Sequence, residues 1–263
     1  MRVGILAIED PLFVFEFFEE FVSLWNTNQR KFDISIVMLC EYRGKRVFSK
    51  GLFKKTFTLY GKLGTFLLGM EYIFKMMMAK VTNFKRWHKA YTVEQLFIKN
   101  SIRVIRVDDI NSPYILKQLK NIDLILSVSI PQRLKKEILS FPTFRCINVH
   151  SGKLPKYRGL LPTFWQMLCG EKNIGVSVHF VNERIDDGDI LTYSEFPLRS
   201  NDSLYRIMKR AKIEGARLAF KTIERISSGN CTIVPNDRTK ATYYKFPSSK
   251  DVQAFKRIGW KLR

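Results

Sequence analysis

The sequence predicts an α/β fold: a twisted, mainly parallel sheet with helices on both faces, followed by a small C-terminal appendage. Two observations lead to this prediction. Short runs rich in β-branched residues alternate along the chain with segments whose apolar residues recur at helical spacing. In addition, 263 residues, 46% of them hydrophobic, are enough to bury one substantial core. This alternation favours parallel strands joined by crossover helices.

The first elements follow from the N-terminal part of the chain. Residues 2–8 and 33–39 are β-branched runs, and residues 12–29 between them have helical spacing. No Gly-x-Gly-x-x-Gly motif follows the first run, so the phosphate-binding turn of dinucleotide-binding proteins is missing there. Further strands are predicted at 102–106, 122–129, 145–149, 174–181 and 190–197, with helices at 112–119, 131–139 and 162–169.

The C-terminal part of the chain suggests a division into two units. Residues 203–228 are predicted to form a long amphipathic helix that ends at Gly229 and packs on the sheet. We therefore expect a main domain over residues 1–229. Residues 230–263 are too few to build a core of their own, and we expect them to fold against the main domain as an appendage.

The segment 50–90 differs from its surroundings, because an apolar run at 64–79 lies between clusters of basic residues. Glu71 and Lys75 interrupt this run, and it is shorter than the roughly 20 residues that a membrane span needs. We predict no transmembrane segment and expect a buried or partly buried helix. Peripheral attachment to a membrane, or a lid over a site, are the alternatives. The flanking residues are Lys50, Lys54, Lys55, Lys62, Lys80, Lys85, Arg86 and Lys89.

The charge balance is strongly basic, with 45 Lys and Arg against 24 Asp and Glu and a net charge of +21. Such a surface attracts polyanions, including tRNA, sugar nucleotides and anionic membranes, although part of the charge can serve solubility alone. The four cysteines have no Cys-x-x-Cys spacing, and Cys146 and Cys169 lie in apolar stretches. We expect free thiols, no metal site and a cytoplasmic location.

One short constellation of polar residues points to chemistry. In Ile147-Asn148-Val149-His150, Asn148 and His150 project to the same face of a strand, and Asp186 precedes a glycine-containing turn. An imidazole that accepts a proton, an amide that stabilises an oxyanion and a carboxylate that orients the base suffice for acyl transfer to an amine. Taken singly, each has a simpler explanation as a structural histidine or a turn aspartate.

Several blocks in order strengthen the chemical interpretation. The sequence resembles the catalytic core of the N10-formyltetrahydrofolate-dependent formyltransferases, the family of methionyl-tRNA formyltransferase, glycinamide ribonucleotide transformylase and the sugar N-formyltransferases. The resemblance is close over residues 100–200 and extends in outline to the N-terminal third. It is carried by Asn-x-His at 148–150, Leu-Pro-x-Tyr-Arg-Gly at 154–159, Gly-Glu at 170–171, Gly-Val-Ser-Val-His at 175–179 and Asp-x-Gly-x-Ile at 186–190.

The resemblance implies a Rossmann-like formyltransferase fold, with residues 1–229 as the catalytic domain, N10-formyltetrahydrofolate as formyl donor and no metal. It implies that His150 handles protons of the attacking amine, that Asn148 donates to the developing oxyanion, and that Asp186 holds the imidazole. The Asp-x-Gly-x-Ile pattern selects Asp186 over the adjacent Asp187. Neither His88 nor His179 is assigned to catalysis, and His179 is expected to pack or to form hydrogen bonds within the sheet.

By the same resemblance, the folate pocket follows the strand before Asn-x-His, with a second wall near the Asp-Gly turn. An alternative is that Ile130-Pro131 only starts a helix, since proline suits a first turn. The residues assigned to the pocket are Ser127, Val128, Ser129, Ile130 and Pro131, with Ile185, Gly188 and Ile190 opposite. The residues assigned to a substrate-binding or structural loop are Lys153, Tyr157, Arg158 and Gly159. The family's Ser-Leu-Leu-Pro pattern is altered here to His150-Ser-Gly-Lys-Leu-Pro155, which leaves the choice of acceptor open.

The expected acceptor is a small anionic amine, most plausibly an amino sugar carried on a nucleotide. Methionyl-tRNA formyltransferase normally has a complete C-terminal β-barrel domain, whereas only a short tail follows residue 229 here. The high charge keeps a tRNA acceptor as an alternative within the family. A non-catalytic polyanion or membrane-surface binder is the alternative from another class. We also expect a homodimer.

Overall fold

The computed structural model describes residues 1–40, 50–84 and 89–263, without the side chains at positions 50, 83 and 84. Its strands are β1 (Arg2–Ala7), β2 (Asp33–Cys40), β3 (Val104–Val107), β4 (Leu124–Ser127), β5 (Cys146–His150), β6 (Arg158–Gly159), β7 (Asn173–Phe180), β8 (Ile190–Pro197) and β9 (Tyr243–Tyr244). Its helices are α1 (Val14–Thr27), α2 (Lys50–Phe84), α3 (Val93–Lys99), α4 (Pro113–Gln118), α5 (Lys136–Leu139), α6 (Pro162–Leu168), α7 (Leu204–Ser227) and α8 (Ser249–Arg257).

Seven strands form one sheet in the order β3-β2-β1-β4-β5-β7-β8. The first five strands of this order run parallel, while β7 is antiparallel to both β5 and β8. The central strands are almost continuously apolar and buried, as expected for strands covered on both faces. The predicted α/β fold, a mainly parallel sheet with helices on both faces, is confirmed.

Aromatic residues dominate the core where α1 meets its neighbours. Phe17, Phe18 and Phe21 of α1 are fully buried. Phe18 makes an edge contact with Phe97 of α3, and Phe21 makes one with Phe220 of α7. These contacts fix α1 and α7 side by side, and α7 also lies against β7 and β8. The long predicted helix at 203–228 therefore packs on the sheet, as expected.

The predicted helix at 131–139 is wrong over most of its length, because only Lys136–Leu139 is helical. Ser129 has a φ of 57°, which ends β4 at Ser127 and turns the chain before Pro131. The Gln132 side chain then donates to the Asp108 carbonyl and accepts from the Ile110 amide, satisfying backbone groups outside any helix. Pro131 thus lies in a loop and does not start a helix.

Residues 230–263 fold against the main body at three places. The strand β9 pairs with β6 in parallel, Val234 forms a bridge with Ile190 of β8, and Phe255 of α8 stacks on Phe164 of α6 at 4.7 Å. This segment completes a second, smaller core with α6 and α7. The predicted division at residue 229 stays a prediction.

Within the segment 50–90, the helix α2 covers residues 50–84 and is only partly buried. It is interrupted at Gly61, whose φ of 69° and ψ of −172° divide α2 into two helical segments. Leu59, Leu68 and Ala79 are buried and most of the other apolar side chains are exposed, so α2 is a partly buried helix, one of the two forms expected from the sequence. No helix among the described residues has the length and apolarity needed to cross a bilayer. Lys85, Arg86 and His88 lie outside the described residues.

Candidate functional site

A cavity of about 720 Å³ opens beyond the carboxyl ends of the parallel strands. Ligand sites in open α/β sheets form at this edge because the loops after several strands meet there. Here Asp10 follows β1, Ser129 follows β4 and His150 ends β5, and all three line the cavity. The loop at 182–186 and the first segment of α2 complete its walls.

Asn148 and His150 enter this cavity from the same face of β5. β7 runs antiparallel to β5, with His179 opposite Asn148 and Ser177 opposite His150. The alternation inferred from the sequence therefore holds. The pairing with β7 also brings the imidazole of His179 to the cavity, a position that was not predicted from the sequence.

The tautomer of His150 is set by its backbone partner. Its Nε2 lies 2.8 Å from the carbonyl oxygen of Tyr157. Since a carbonyl can only accept, Nε2 carries the proton and Nδ1 is left as the basic nitrogen. Nδ1 faces the carboxylate of Asp186 at 3.5 Å. Burial lowers the pKa of the His150 imidazole, although the charge of Asp186 opposes this shift. His150 is thus a neutral base at neutral pH.

Asp186 is the carboxylate that joins the site together. Its Oδ2 accepts a hydrogen bond from the backbone amide of Gly159 at 2.9 Å, and its Oδ1 lies 3.7 Å from Nε2 of His179. Burial alone would raise the pKa of Asp186. Positive charge on His150 or His179, when either ring is protonated, and the hydrogen bond from the Gly159 amide outweigh burial and hold that pKa well below its usual range. A charged carboxylate is therefore fixed beside the neutral base.

His179 orients the amide of Asn148. Nδ1 of His179 lies 2.7 Å from the Phe180 carbonyl, so Nδ1 carries the proton and Nε2 is an acceptor. The Asn148 Nδ2 group donates to that Nε2 at 3.2 Å, which fixes which way the amide points. His179 does form a hydrogen bond within the sheet, as expected, but it also lines the cavity. The contact between His179 and Asn148 follows from the register of β5 and β7, which could not be predicted from the sequence.

The predicted folate residues divide into two groups. Ser127, Ser129, Ile130, Pro131 and Ile185 line the cavity. The remaining three do not, because each has a packing role. Val128 is fully buried in the core, a Cβ on Gly188 would lie 1.9 Å from the Phe180 carbonyl oxygen, and Ile190 pairs its backbone with Val234.

The predicted loop residues are mainly structural. Lys153 forms ion pairs with Glu171 and Glu195, at 2.8 and 3.1 Å. The Tyr157 hydroxyl also donates to Glu171, at 2.9 Å. Of the four, only Gly159 lines the cavity, where its backbone N–H donates a hydrogen bond to the Asp186 carboxylate.

The last of the loop residues, Arg158, is buried against Asp187. Arg238 contacts the same carboxylate at 2.7 Å, and Asn182 donates to it at 3.3 Å. Arg158 also donates to the Asn236 side chain at 2.7 Å. Asp187 therefore ties the Arg158 loop to the C-terminal segment, whereas its neighbour Asp186 faces the cavity.

Sequence reasoning missed several residues of the cavity wall. Lys212 of α7 donates to the Ser129 hydroxyl at 2.6 Å, and burial lowers the pKa of this lysine to about 8, against the opposing charge of Asp10. Lys55, Tyr243 and Phe246 line another part of the wall. Asp10 could have been found from its place at the end of β1. Lys212 could not have been found in this way, because nothing in the sequence distinguishes it from the many other lysines.

Metal ligands are not gathered at this site. Across the described residues, no group of three or more His, Cys, Asp or Glu side chains is arranged to hold an ion. The histidines and the carboxylate of Asp186 in this cavity contact one another and backbone groups.

Comparison with known proteins identifies the family. Residues 78–223 match the family model described as formyl transferase, which is more than half of the chain. The chain belongs to the formyl transferase family. A methionyl-tRNA formyltransferase from Geobacillus sp. (strain WCH70) is 37% identical over 121 residues, which is 46% of this chain and 38% of that protein. The matched part spans between 38% and 50% of the length of the curated relatives.

Solved structures share the formyltransferase fold. The phosphoribosylglycinamide formyltransferase of Bacillus halodurans matches with a TM-score of 0.60 and 17% identity, covering 87% of this chain and 96% of that one. An N-formyltransferase from Helicobacter canadensis, solved with folinic acid and dTDP-3-aminofucose, matches with a TM-score of 0.57 and 16% identity, covering 100% of this chain and 84% of that one. At 16–17% identity, these matches show a shared fold and no more.

Replacing Asp187 by Asn should destabilise the formyltransferase fold by about 3 kcal/mol, because buried Arg158 would lose its charged partner. Urea unfolding of the natural protein and the Asp187→Asn variant measures this difference in the free energy of unfolding. The matched control is Lys240→Ala, which breaks an exposed ion pair with Asp237 and should leave the unfolding midpoint nearly unchanged. Equal stability of the Asp187 variant and the natural protein would show that this carboxylate does not hold the loop.

Proposed function

We propose that this chain transfers a formyl group from N10-formyltetrahydrofolate to an amine. One observation carries the proposal: the Asn148 amide, the basic nitrogen of His150 and the charged carboxylate of Asp186 meet in one cavity. Membership of the formyl transferase family supports it. The three side chains supply the groups that acyl transfer to an amine requires.

His150 acts as the general base. A neutral imidazole with Nδ1 unprotonated accepts the proton that the amine loses as it attacks the formyl carbon. The resulting imidazolium is stabilised by Asp186, which lies 3.5 Å from that nitrogen and is already ionised. His150 then gives this proton to the folate nitrogen that leaves as the bond between it and the formyl carbon breaks, so the base returns to its neutral form. The Tyr157 carbonyl keeps Nε2 protonated throughout, so the ring presents the same nitrogen in every turnover.

Asn148 stabilises the negative charge that develops on the formyl oxygen. One N–H of its amide is held by Nε2 of His179, and the second N–H is available as a donor. Fixing the amide before reaction matters, because a donor that needs no reorientation stabilises the transition state at no reorganisation cost. His179 is a positioning residue in this scheme.

The donor is proposed to lie along the loop after β4. N10-formyltetrahydrofolate supplies an activated formyl group when it is bound. Ser129, Ile130 and Pro131 on one side and Ile185 on the other present backbone groups and apolar surface that suit a pterin ring. The Helicobacter canadensis formyltransferase was solved with folinic acid, which supports a folate as the donor class.

The acceptor is proposed to be an amino sugar carried on a nucleotide. Cationic side chains of Lys55, Arg133, Arg184 and Lys212 line the cavity and suit a diphosphate. Tyr243 and Phe246, from the segment 230–263, add aromatic surface that can stack on a base or sugar. The dTDP-3-aminofucose bound to the Helicobacter canadensis protein supports this class of acceptor. We further propose that residues 1–229 form the catalytic domain and that the segment 230–263 completes its acceptor wall.

A tRNA-borne amine is the second candidate. The similarity to a methionyl-tRNA formyltransferase at 37% identity favours it, and so does the net charge of +21. A tRNA is much larger than the cavity, so its phosphates would contact basic surface well outside it. The two candidates therefore predict different responses to salt.

His150→Ala should lower kcat by about 10²–10⁴-fold, because it removes the proton acceptor. Asn148→Ala should lower kcat by about 10²–10³-fold, because it removes the oxyanion donor. Both should leave the Kd for folate within a few-fold. Steady-state kinetics with a mass-spectrometric assay for formylated product, together with calorimetric folate binding, separates the two effects. Unchanged turnover in either variant would remove that residue from the mechanism.

Replacing Asp186 by Asn should move the acid limb of kcat/KM to lower pH. The charge of Asp186 raises the pKa of His150, so removing it lets that pKa fall further below its ordinary value. The plateau at high pH should also drop, since the imidazolium loses its counter-charge. A pH series of kcat/KM for both proteins measures the shift. An acid limb that stays in place, or moves to higher pH, would contradict the proposed pairing.

Salt separates the two candidate acceptors. The KM for a nucleotide-linked amino sugar should rise only modestly between about 50 and 200 mM salt, whereas a tRNA contacting several phosphates should lose about a thousandfold or more in affinity. Both acceptors are assayed in parallel at each salt concentration. Formylation of tRNA with a steep salt dependence, combined with no product from nucleotide sugars, would replace the sugar proposal by the tRNA one.

A further inference from the structure

The outer surface of α2 after Gly61 is a continuous apolar face. At 100° per residue, the members of this face fall within about 60° of one direction. All are exposed, with between 39% and 70% of their surface accessible to water. We call this surface the outer face of α2; it consists of Leu63, Phe66, Leu67, Met70, Ile73, Phe74, Met77 and Val81.

The two charged residues in the middle of the same helix, Glu71 and Lys75, point inward. Glu71 accepts hydrogen bonds from the Tyr205 hydroxyl at 2.6 Å and from Arg263 at 3.0 Å. Lys75 donates to the Pro11 carbonyl at 2.7 Å and lies 3.6 Å from Glu16. The usual polarity of a surface helix is thus inverted, with charges toward the protein and apolar side chains toward solvent.

These inward contacts fix the rotation of the helix about its axis. Turning the apolar side chains inward would leave Glu71 and Lys75 without their partners, at a cost of several hydrogen bonds to charged groups. The outer face is therefore held exposed by the packing of α2. An apolar stripe from 63 to 81, about 27 Å long at 1.5 Å per residue, exceeds the scattered apolar residues of an ordinary surface.

The charges around the outer face indicate what covers it. Lys62 and Lys80 flank its ends and are exposed, and Lys54 and Lys55 are exposed on the preceding helical segment. Glu71, the only acidic residue in the sequence from 50 to 84, faces the protein. An apolar face edged by lysines and lacking acidic groups has the pattern of a helix that lies in the headgroup region of an anionic membrane.

We propose that the outer face of α2 docks this protein on an anionic lipid bilayer, with the helix lying in the plane of the membrane. A second copy of the chain is a poorer occupant. Two chains of net charge +21 repel one another, and a paired arrangement would bring lysines against lysines. A bilayer containing anionic lipid satisfies both the apolar face and its basic edges.

The outer face is connected to the cavity through the first segment of α2. Leu52 and Lys55, from the first segment of α2, line the cavity wall, so the same helix joins the outer face and the proposed acceptor site. The inference does not depend on formyl transfer, because it concerns a surface outside the catalytic residues. Its success or failure is measured by binding alone.

The test is co-sedimentation of the full chain with lipid vesicles. We expect binding to vesicles of phosphatidylcholine mixed with phosphatidylglycerol and much weaker binding to phosphatidylcholine alone. The combined variant F66S/F74S/M77S should lower the partition coefficient by more than about tenfold, since it removes apolar surface that inserts. The matched control is I98S/I233S/I258S, which removes three comparably exposed apolar side chains elsewhere and should bind like the natural protein.

A tryptophan placed on the outer face gives a second measurement. The emission of Phe66→Trp, after subtraction of the natural protein, should shift to the blue on addition of anionic vesicles, whereas that of Ile98→Trp should not. Absence of vesicle binding by the natural protein, or equal binding by F66S/F74S/M77S, would overturn the proposal. So would sedimentation equilibrium showing a dimer that the outer-face variant alone converts to a monomer, because a second copy would then be the occupant.

Discussion

Two adjacent carboxylates that face different ways hold the site in place. Asp186 faces the cavity, where it pairs with His150 and accepts from the Gly159 amide. Asp187 faces away and neutralises buried Arg158. Asp186 and Asp187 therefore bind two consecutive residues of one loop, Gly159 and Arg158. The carbonyl of Tyr157, from the same loop, orients the His150 ring, so the tautomer of the base depends on these two contacts.

The same arrangement explains why burial does not disable the site. His150 is buried where the charged form of an imidazole is penalised, and Asp186 beside it is partly buried. Burial alone would favour the protonated carboxyl, but the Gly159 amide donates to it, and positive charge on a neighbouring imidazole stabilises its ionised form further. A neutral base beside a permanent negative charge is ready to accept a proton and to stabilise the cation that results. That asymmetry between the pKa shifts of His150 and Asp186 is what the proposed chemistry needs.

Local rules predicted part of this from sequence. Strand alternation is enough to put Asn148 and His150 on one face, and the Asp-x-Gly-x-Ile pattern separates Asp186 from Asp187. His179 was beyond such rules, since its contact with Asn148 depends on the register between β5 and β7. Lys212 reaches the cavity from α7, more than 60 residues after β5, so its role depends on how the helix packs. The run 64–79 was expected to be buried or partly buried, and the sequence could not say which of its side chains stay exposed, because hydrophobicity does not identify the surface that covers a helix.

The boundary of the family match separates two kinds of residue in one cavity. The proposed catalytic residues, the loop after β4 and the wall at 182–186 all lie within residues 78–223. Lys55 of α2 and Tyr243 and Phe246 of the C-terminal segment lie outside that range and contribute to another part of the wall. Lys55 lies over the ring of Phe246, with Nζ 5.4 Å from its centre, so two segments outside the matched range meet. Chemistry and donor binding would then share features with the family. The choice of acceptor would depend on a junction outside residues 78–223.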